Sequence, residues 1–327
     1  MTKLKIAVTG GGNSGEYDIS AQSSARVAAL LPPEKYDIYL ILIRGTQWLW
    51  TDKAGVSWPV DRNDFSLYTG NEKVHFDCVF NAIHGTPGED GKLQGYFEML
   101  GIPHTSCNSI TSALTFNKAY CNQVVAGLGV KTSRSVHLLR PSPSNRDLIL
   151  QNLKLPVFVK PNCGGSSVGM TKVNEASGLD QALDLAFNHD QEVLVEEFVP
   201  GIEITCGVYG SPEGPVALPL VQVVSKKEYF DFEAKYDETL ADEILPAPIP
   251  EALAGKCSSM SCWLYEKLNC SGVVRFDYIL QGEDFCFLEV NTVPGMTLAS
   301  IVPKMALHAG FDLPGFYDLL ISRAIKR

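Results

Sequence analysis

The sequence predicts an α/β amino-terminal part followed by α+β parts, and three observations carry that expectation. Short apolar runs alternate with amphipathic helical stretches through the first third of the chain. In the middle, the apolar run Val157-Phe158-Val159 ends in Lys160 and opens, past Pro161, into the Gly-Ser loop Asn162 to Gly169. Near the end, the runs Val273–Leu280 and Phe285–Asn291 flank the polar stretch Gln281-Gly282-Glu283-Asp284 and read as a hairpin.

Taken in order, Ile6–Val8, Ile38–Ile43 and Cys78–Asn81 read as strands, with helices over Asp18–Leu30 and about Gly91–Leu100. That alternation predicts a doubly wound parallel sheet whose ligand loops lie at the carboxyl ends of the strands, where Glu16 and His84 fall. Glu89 and Asp90 read as acidic residues opening the second helix, where they complement its dipole. A new pattern begins near Thr111, with one helix over Ser112–Gly127 and short strands ending at Lys160 and at Glu196–Val199. From Glu203 on, Thr205–Tyr209, Ala217–Val224 and the hairpin read as antiparallel strands. The expected domain spans are 1–110, 111–202 and 203–327.

The hairpin carries the most chemistry. Side chains alternate along a strand, so Arg275 and Asp277 share one face and Glu289 and Asn291 share one face of the next strand. With Gly282–Asp284 as a three-residue loop, Asp277 sits opposite Glu289 and Arg275 opposite Asn291, at Cβ separations of about 5 Å. Two carboxylates that close repel, and a hard divalent ion relieves the repulsion. Oxygen-only donors suit magnesium with nucleotide phosphates completing its shell. The same pattern also fits a surface hairpin with a cross-strand ion pair through Arg275. The Gly-Ser loop has two readings as well: a flexible turn, or a cradle whose backbone amides and lysine meet phosphate. It is not a Walker loop, since no Gly-Lys-Ser/Thr is present at the required spacing.

Composition narrows the classes. The chain has 327 residues, 45% of them hydrophobic, enough for two or three cores. Lys plus Arg number 27 against 37 Asp plus Glu, a formal charge of −10, and no basic block occurs. Nucleic acid is therefore not an expected partner. The start runs into a Gly-rich turn in place of a cleavage site, and no apolar run reaches spanning length, so no membrane partner is expected either. Nine cysteines, odd in number and without a Cys-x-x-Cys pair, fit reduced thiols in the cytoplasm. Cys163, inside the Gly-Ser loop, reads as a small unreactive residue or an accessible thiol.

The ordered motifs resemble one family. They are Gly11-Gly12-Asn13-Ser14-Gly15-Glu16, His84-Gly85 with Gly88-Glu89-Asp90-Gly91-Lys92-Leu93-Gln94-Gly95, Lys118, Lys160, Gly165-Ser166-Ser167-Val168-Gly169-Met170, Glu233-Ala234-Lys235-Tyr236, Arg275-Phe276-Asp277 and Glu289-Val290-Asn291-Thr292-Val293-Pro294-Gly295-Met296-Thr297. Their series is similar, almost end to end, to that of the D-alanine:D-alanine ligases. The resemblance implies an ATP-grasp architecture: an amino-terminal doubly wound α/β domain, a central lid domain and a carboxyl-terminal domain, with nucleotide held between the last two.

It also implies a reaction. The first of two D-alanines takes the γ-phosphoryl group of ATP to become an acyl phosphate, and the amine of the second attacks it. By this resemblance Lys118, Lys160 and Lys235 bind phosphate, and Asp277, Glu289 and Asn291 hold two Mg²⁺ or Mn²⁺ ions. Arg275 reaches the acyl phosphate, and the Gly295 amide completes an oxyanion hole. Glu196 and Glu203 meet the adenine amino group and the ribose, with the backbone around Glu197 and Val199 on the adenine edge. Glu16, Ser166 and Tyr236 form a triad at the first D-alanine, while Ser300 with Lys235 receives the second carboxylate. His84 is either a buried hydrogen-bonding residue or an orienting group on the substrate side. A cytoplasmic homodimer is expected. Departures from the family pattern are Cys163-Gly164 before Gly165, Thr86-Pro87 after Gly85, and Tyr17-Asp18-Ile19-Ser20 after Glu16. Rival readings are a D-alanyl-D-lactate ligase, an ATP-grasp ligase for another acid, and a nucleotide-binding regulator without turnover. Tyr236 favours the dipeptide over the lactate product.

Overall fold

The computed structural model describes residues 2–70, 72–165, 168–225 and 241–326. The first sheet has seven strands: β1 (Leu4–Gly11), β2 (Tyr36–Arg44), β3 (Gln47–Thr51), β4 (Ser57–Asp61), β5 (Ser66–Thr69), β6 (Glu72–Val74) and β7 (Cys78–Asn81). Their order is β6-β5-β4-β3-β2-β1-β7. β2, β1 and β7 are parallel, as the alternation predicts. The sheet then continues from β2 through an antiparallel meander, β3 to β6, that the alternating pattern did not reveal. Both faces of the parallel part are covered. Ile6, Val8, Cys78 and Phe80 point into one core, and Ala7, Val79, Ile41 and Ile43 into another.

Helix α1 (Tyr17–Leu30) lies on the first of these faces, and α2 (Lys92–Leu100) on the second. The sequence expectation of one helix over 112–127 is corrected to two, α3 (Ser109–Phe116) and α4 (Lys118–Gly127). The break is Asn117, with φ −83° and ψ 100°, whose side chain caps α4 by accepting from the Tyr120 amide. It ends one helix and starts the next because its short amide competes for backbone donors that an apolar residue would leave to the helix.

The second sheet has the order β10-β9-β11-β8, made of β8 (Ser135–Leu138), β9 (Val157–Pro161), β10 (Thr171–Val173) and β11 (Val193–Glu197). Helices α5 (Asn145–Asn152) and α6 (Leu179–Phe187) complete its core. The third sheet holds β12 (Ile202–Ser211), β13 (Gly214–Ala217), β14 (Val221–Ser225), β15 (Ala241–Ile244), β16 (Val273–Gln281) and β17 (Asp284–Asn291). Its order is β15-β14-β12-β16-β17, with β13 beside β12. The stretch expected as one strand over Ala217–Val224 is thus two short ones.

Helices α3, α4 and α7 (Glu251–Lys267) pack on the third sheet, where Cys121, Val125, Phe276 and Leu264 share one core. Two last helices, α8 (Ile301–His308) and α9 (Leu313–Ile325), run back to the first sheet. Tyr317 of α9 is fully buried, meets Phe80 edge-on at 5.7 Å, and donates to the Met296 carbonyl at 3.2 Å. The Asp318 carboxylate accepts from Tyr36 at 2.7 Å and Lys35 at 2.9 Å. The end of the chain is thereby stapled under the first sheet, beside the loop that follows the hairpin. Truncating Tyr317 to Ala is expected to cost about 3–5 kcal/mol through the cavity left behind. Tyr317→Phe, which orphans only one carbonyl partner, is expected to cost about 1 kcal/mol; urea unfolding of the two variants reads the difference.

Candidate active site

The three sheets meet around a cleft of about 1150 Å³. Every sequence-predicted site residue that is described lines it: Glu16 and His84 from the first sheet's loops, Lys118 from α4, Lys160 and Glu196 through Val199 from the second sheet, and Glu203 with the hairpin residues, Gly295 and Ser300 from the third. Ser166, Lys235 and Tyr236 lie outside the described residues.

The hairpin register agrees with expectation but for a different reason. Asp277 pairs with Glu289 and Arg275 with Asn291. The loop is two residues, not three: Gln281 pairs with Asp284, and Gly282 takes φ of 62°. The extra residue sits in the ladder, where the register shifts past Leu288 between Asp277 and Tyr278. A bulge restores the pairing that a longer turn would have given.

Asp277, only 4% exposed, takes a forked contact from Arg275, with Nε and Nη2 donating at 2.9 and 2.7 Å, and a further bond from the Thr205 hydroxyl. Burial works against the Arg275 charge, but Asp277, Glu289 and Glu203 outweigh it and drive the guanidinium pKa up. Arg275 is a fixed cation facing the cleft. Lys118 behaves alike. Burial lowers it, Glu289, Cys163 and Glu89 more than compensate, and its pKa ends raised. Its ammonium donates to the Gly164 carbonyl at 2.6 Å and lies 3.5 Å from Glu289. Lys160 meets Glu196 at 2.5 Å, and Asn122 of α4 donates to the other Glu196 oxygen at 2.7 Å.

Part of the backbone on the expected adenine edge already has partners within the protein. The Glu197 amide is spent on the Arg134 carbonyl at 2.9 Å and the Phe198 amide on Pro156 at 2.9 Å. The Glu197 carbonyl already accepts from Ser133, leaving it one lone pair.

Across the cleft, His84 is buried with both ring nitrogens engaged. A carbonyl only accepts, so Nδ1 carries the proton and donates to Val293 at 2.7 Å, while Nε2 faces the Ser23 hydroxyl at 3.3 Å. Burial pulls its pKa below the ordinary range, with Glu16 working against that, so the ring is neutral at pH 7. Ser23 also accepts from the Met296 amide. His84 therefore ties the first sheet to the loop carrying Gly295. A Cβ on Gly295 would fall 2.5 Å from the Ser300 hydroxyl, and one on Gly165 would fall 2.6 Å from Glu16 Oε2. Both glycines are what lets those walls close.

Sequence reasoning missed Thr205 and Asn122, which have no motif, and gave Glu89 a different role. The helix opens at Lys92, not at Glu89 and Asp90; Gly91, with φ of 85°, precedes it. Glu89 instead accepts from the Gly85 amide at 2.9 Å and lines the cleft. Burial first, and the Glu16 charge second, push its carboxyl up to about 7.

A family model described as "D-ala D-ala ligase N-terminus" matches residues 5–107, and one described as "D-ala D-ala ligase C-terminus" matches 125–322. The chain belongs to the D-Ala-D-Ala ligase family. It is 42% identical over 312 residues to a D-alanine–D-alanine ligase of Bacteroides fragilis, covering 95% of this chain and 96% of that one. Among solved structures it is similar to the VanG D-Ala:D-Ser ligase of Enterococcus faecalis, at TM-score 0.88, 34% identity and coverage of 99% and 100%. It is also similar to a D-alanine–D-alanine ligase of Bacillus anthracis complexed with ATP, at TM-score 0.80, 29% identity and coverage of 100% and 98%. The ATP-grasp fold class expected from the motifs stands.

Glu89 generates a pH effect. Its folded pKa lies above the ordinary 4.5, so the folded state holds a proton that the unfolded state has released, and stability falls as pH rises from about 4.5 to about 7. Glu89→Gln is expected to remove that decline, read as a flatter plot of unfolding free energy against pH over the same window.

Proposed function

We propose that the chain joins two D-alanines to D-alanyl-D-alanine, a peptidoglycan precursor, converting ATP to ADP and phosphate. A carboxylate resists attack by an amine, so the first D-alanine's carboxylate takes the γ-phosphoryl group with ADP leaving. The amine of the second then attacks the acyl carbon, phosphate departs, and the amine's proton is released. The observation that carries this reading is the placement of Lys118, Lys160 and Arg275 around one cleft that Glu16 also lines. Three fixed cations suit a triphosphate and an anionic transition state. A carboxylate in the same cleft suits the ammonium of an amino acid.

Within this reading Lys118 and Lys160 orient the phosphates, Arg275 stabilises the transferring phosphoryl group, and the Gly295 amide meets the oxyanion. Glu196 and Glu203 flank the nucleoside, with Glu197 and Val199 beside it. Ser300, at the start of α8, receives the second carboxylate where the helix dipole favours an anion. Ser166, Lys235 and Tyr236 keep the roles implied by the motifs. The donor set of Asp277, Glu289 and Asn291 fits magnesium or manganese. All three offer oxygen, and among the described residues no group of three or more His, Cys, Asp or Glu is placed to hold a metal ion. An ion held there would draw the rest of its shell from phosphate oxygens and water. When bound, two such ions neutralise charge on the phosphoryl oxygens.

The division into 1–110, 111–202 and 203–327 belongs to the same proposal. One sheet per span supports it, with β12 beginning one residue early and α4 leaning on the third sheet. A cytoplasmic homodimer completes it. The nine cysteines are free thiols, and no described helix is long and apolar enough to cross a membrane. Light scattering on the purified protein reads the two-copy assembly.

Two outcomes test the reaction. Glu289→Gln is expected to leave the fold intact and lower kcat about a hundredfold, the scale of losing one electrostatic stabiliser; near-normal turnover would remove the metal role. With equimolar D-alanine, D-serine and D-lactate at pH 7, D-alanyl-D-alanine is expected to dominate, with activity rising as pH frees the attacking amine. Predominant D-alanyl-D-serine or depsipeptide would overturn the choice of second substrate and leave ATP-dependent ligation standing.

A further inference from the structure

Asn162, two residues beyond Lys160, does not line the cleft, yet its carbonyl holds the amide of Lys118, which does, and its other polar groups are committed to Ala119 and Glu192. It is fully buried. Its carbonyl accepts from the Lys118 amide at 3.2 Å, and its Oδ1 accepts from the Ala119 amide at 2.9 Å. On the other side its amide donates to the Glu192 carbonyl at 2.9 Å, and Nδ2 donates to the Glu192 carboxylate at 2.8 Å. That carboxylate in turn meets His137 Nε2 at 2.8 Å. With Asn117 holding the Tyr120 amide, the first three N–H groups of α4 are filled by two asparagines. The loop continues the grip: the Cys163 amide donates to Asp190 at 2.6 Å, and the Gly164 carbonyl holds the Lys118 ammonium.

The position matters because α4 and β9 belong to different cores. Cys121 and Val125 anchor α4 on the third sheet, whereas Val157 and Val159 anchor β9 in the second. Lys118 starts one element and Lys160 lies one residue before the end of the other, so their separation is set where Asn162 joins them.

We propose that Asn162, backed by Glu192 and His137, is a positioning residue that clamps the start of α4 to the end of β9 and so sets Lys118 against Lys160 for the phosphates of ATP. This rests on the reading of Lys118 as a phosphate ligand. An aliphatic side chain at 162 would orphan the Ala119 amide and take one donor from the Glu192 carboxylate oxygen that also meets His137.

Equilibrium binding of ATP with magnesium, kcat, and urea unfolding of the full-length protein form the test. Asn162→Ala is expected to raise the Kd for ATP about tenfold or more, and to add less than about twofold in a Lys118→Met background. Asn162→Asp alone sets two carboxylates together and weakens ATP binding. Combined with Glu192→Gln it restores one donor and one acceptor with their ends exchanged, and the Kd is expected to return to within about threefold. A loss of stability with unchanged Kd, or no recovery in the exchanged pair, overturns the clamp. Lys118→Met separates the two readings: normal ATP binding in that variant removes the phosphate role of Lys118 and the clamp with it, whereas impaired binding there alongside normal binding in Asn162→Ala removes the clamp alone. If Asn162→Ala does not fold, the exchanged pair decides the question.

Discussion

Buried charge has to be matched, and the cleft is organised by that constraint. Arg275 and Asp277 lie side by side on β16 with little water, a state that breaking either partner would make costly. Glu289 answers them from β17 and reaches Lys118 on α4, so one electrostatic group spans the third sheet and α4. Lys160 with Glu196 repeats the device on the second sheet. Each of these cations is held in place by an anion.

Placement of that kind needs walls that do not drift. The first sheet contributes them through His84, whose neutral ring reaches the Val293 carbonyl, and through the loop contacts of Asn13 with the Thr86 carbonyl and Ser14 with the His84 carbonyl. From below, Tyr317 holds the Met296 carbonyl two positions before its loop reaches Leu298. Hydrogen bonds to backbone carbonyls recur here because a loop lining a cleft has polar groups that no ladder satisfies. The same segment then starts α8 at Ser300, within the reach of the Thr297 hydroxyl at 2.8 Å.

The site was legible to an unusual degree because its motifs are local. Period-two alternation places Arg275 with Asp277 and Glu289 with Asn291 whatever the rest of the chain does. Less legible were features set by distant partners. Glu89 looked like a helix-opening acid, but the Gly85 amide draws it toward the cleft. Asn117 looked like part of one continuous helix, and the Asn162 carbonyl and side chain arriving from β9 are what stabilise a second start there. The bulge at Leu288 had no signal, since a three-residue turn and a two-residue turn with a bulge give Asp277 the same neighbour.

The sequence by itself determined the chemistry: which residues are cationic, which offer oxygen, where glycine lets walls approach, and which strand faces they share. Those properties depend on residue type and short-range periodicity, and both survive without a fold. Tertiary structure decided the pairings, that is, Lys160 with Glu196, Lys118 with Glu289 and Gly164, His84 with Val293, and Asn162 with the head of α4. These partners lie tens to hundreds of positions apart in the chain, and only the packing of three sheets around one cleft brings them within hydrogen-bond range.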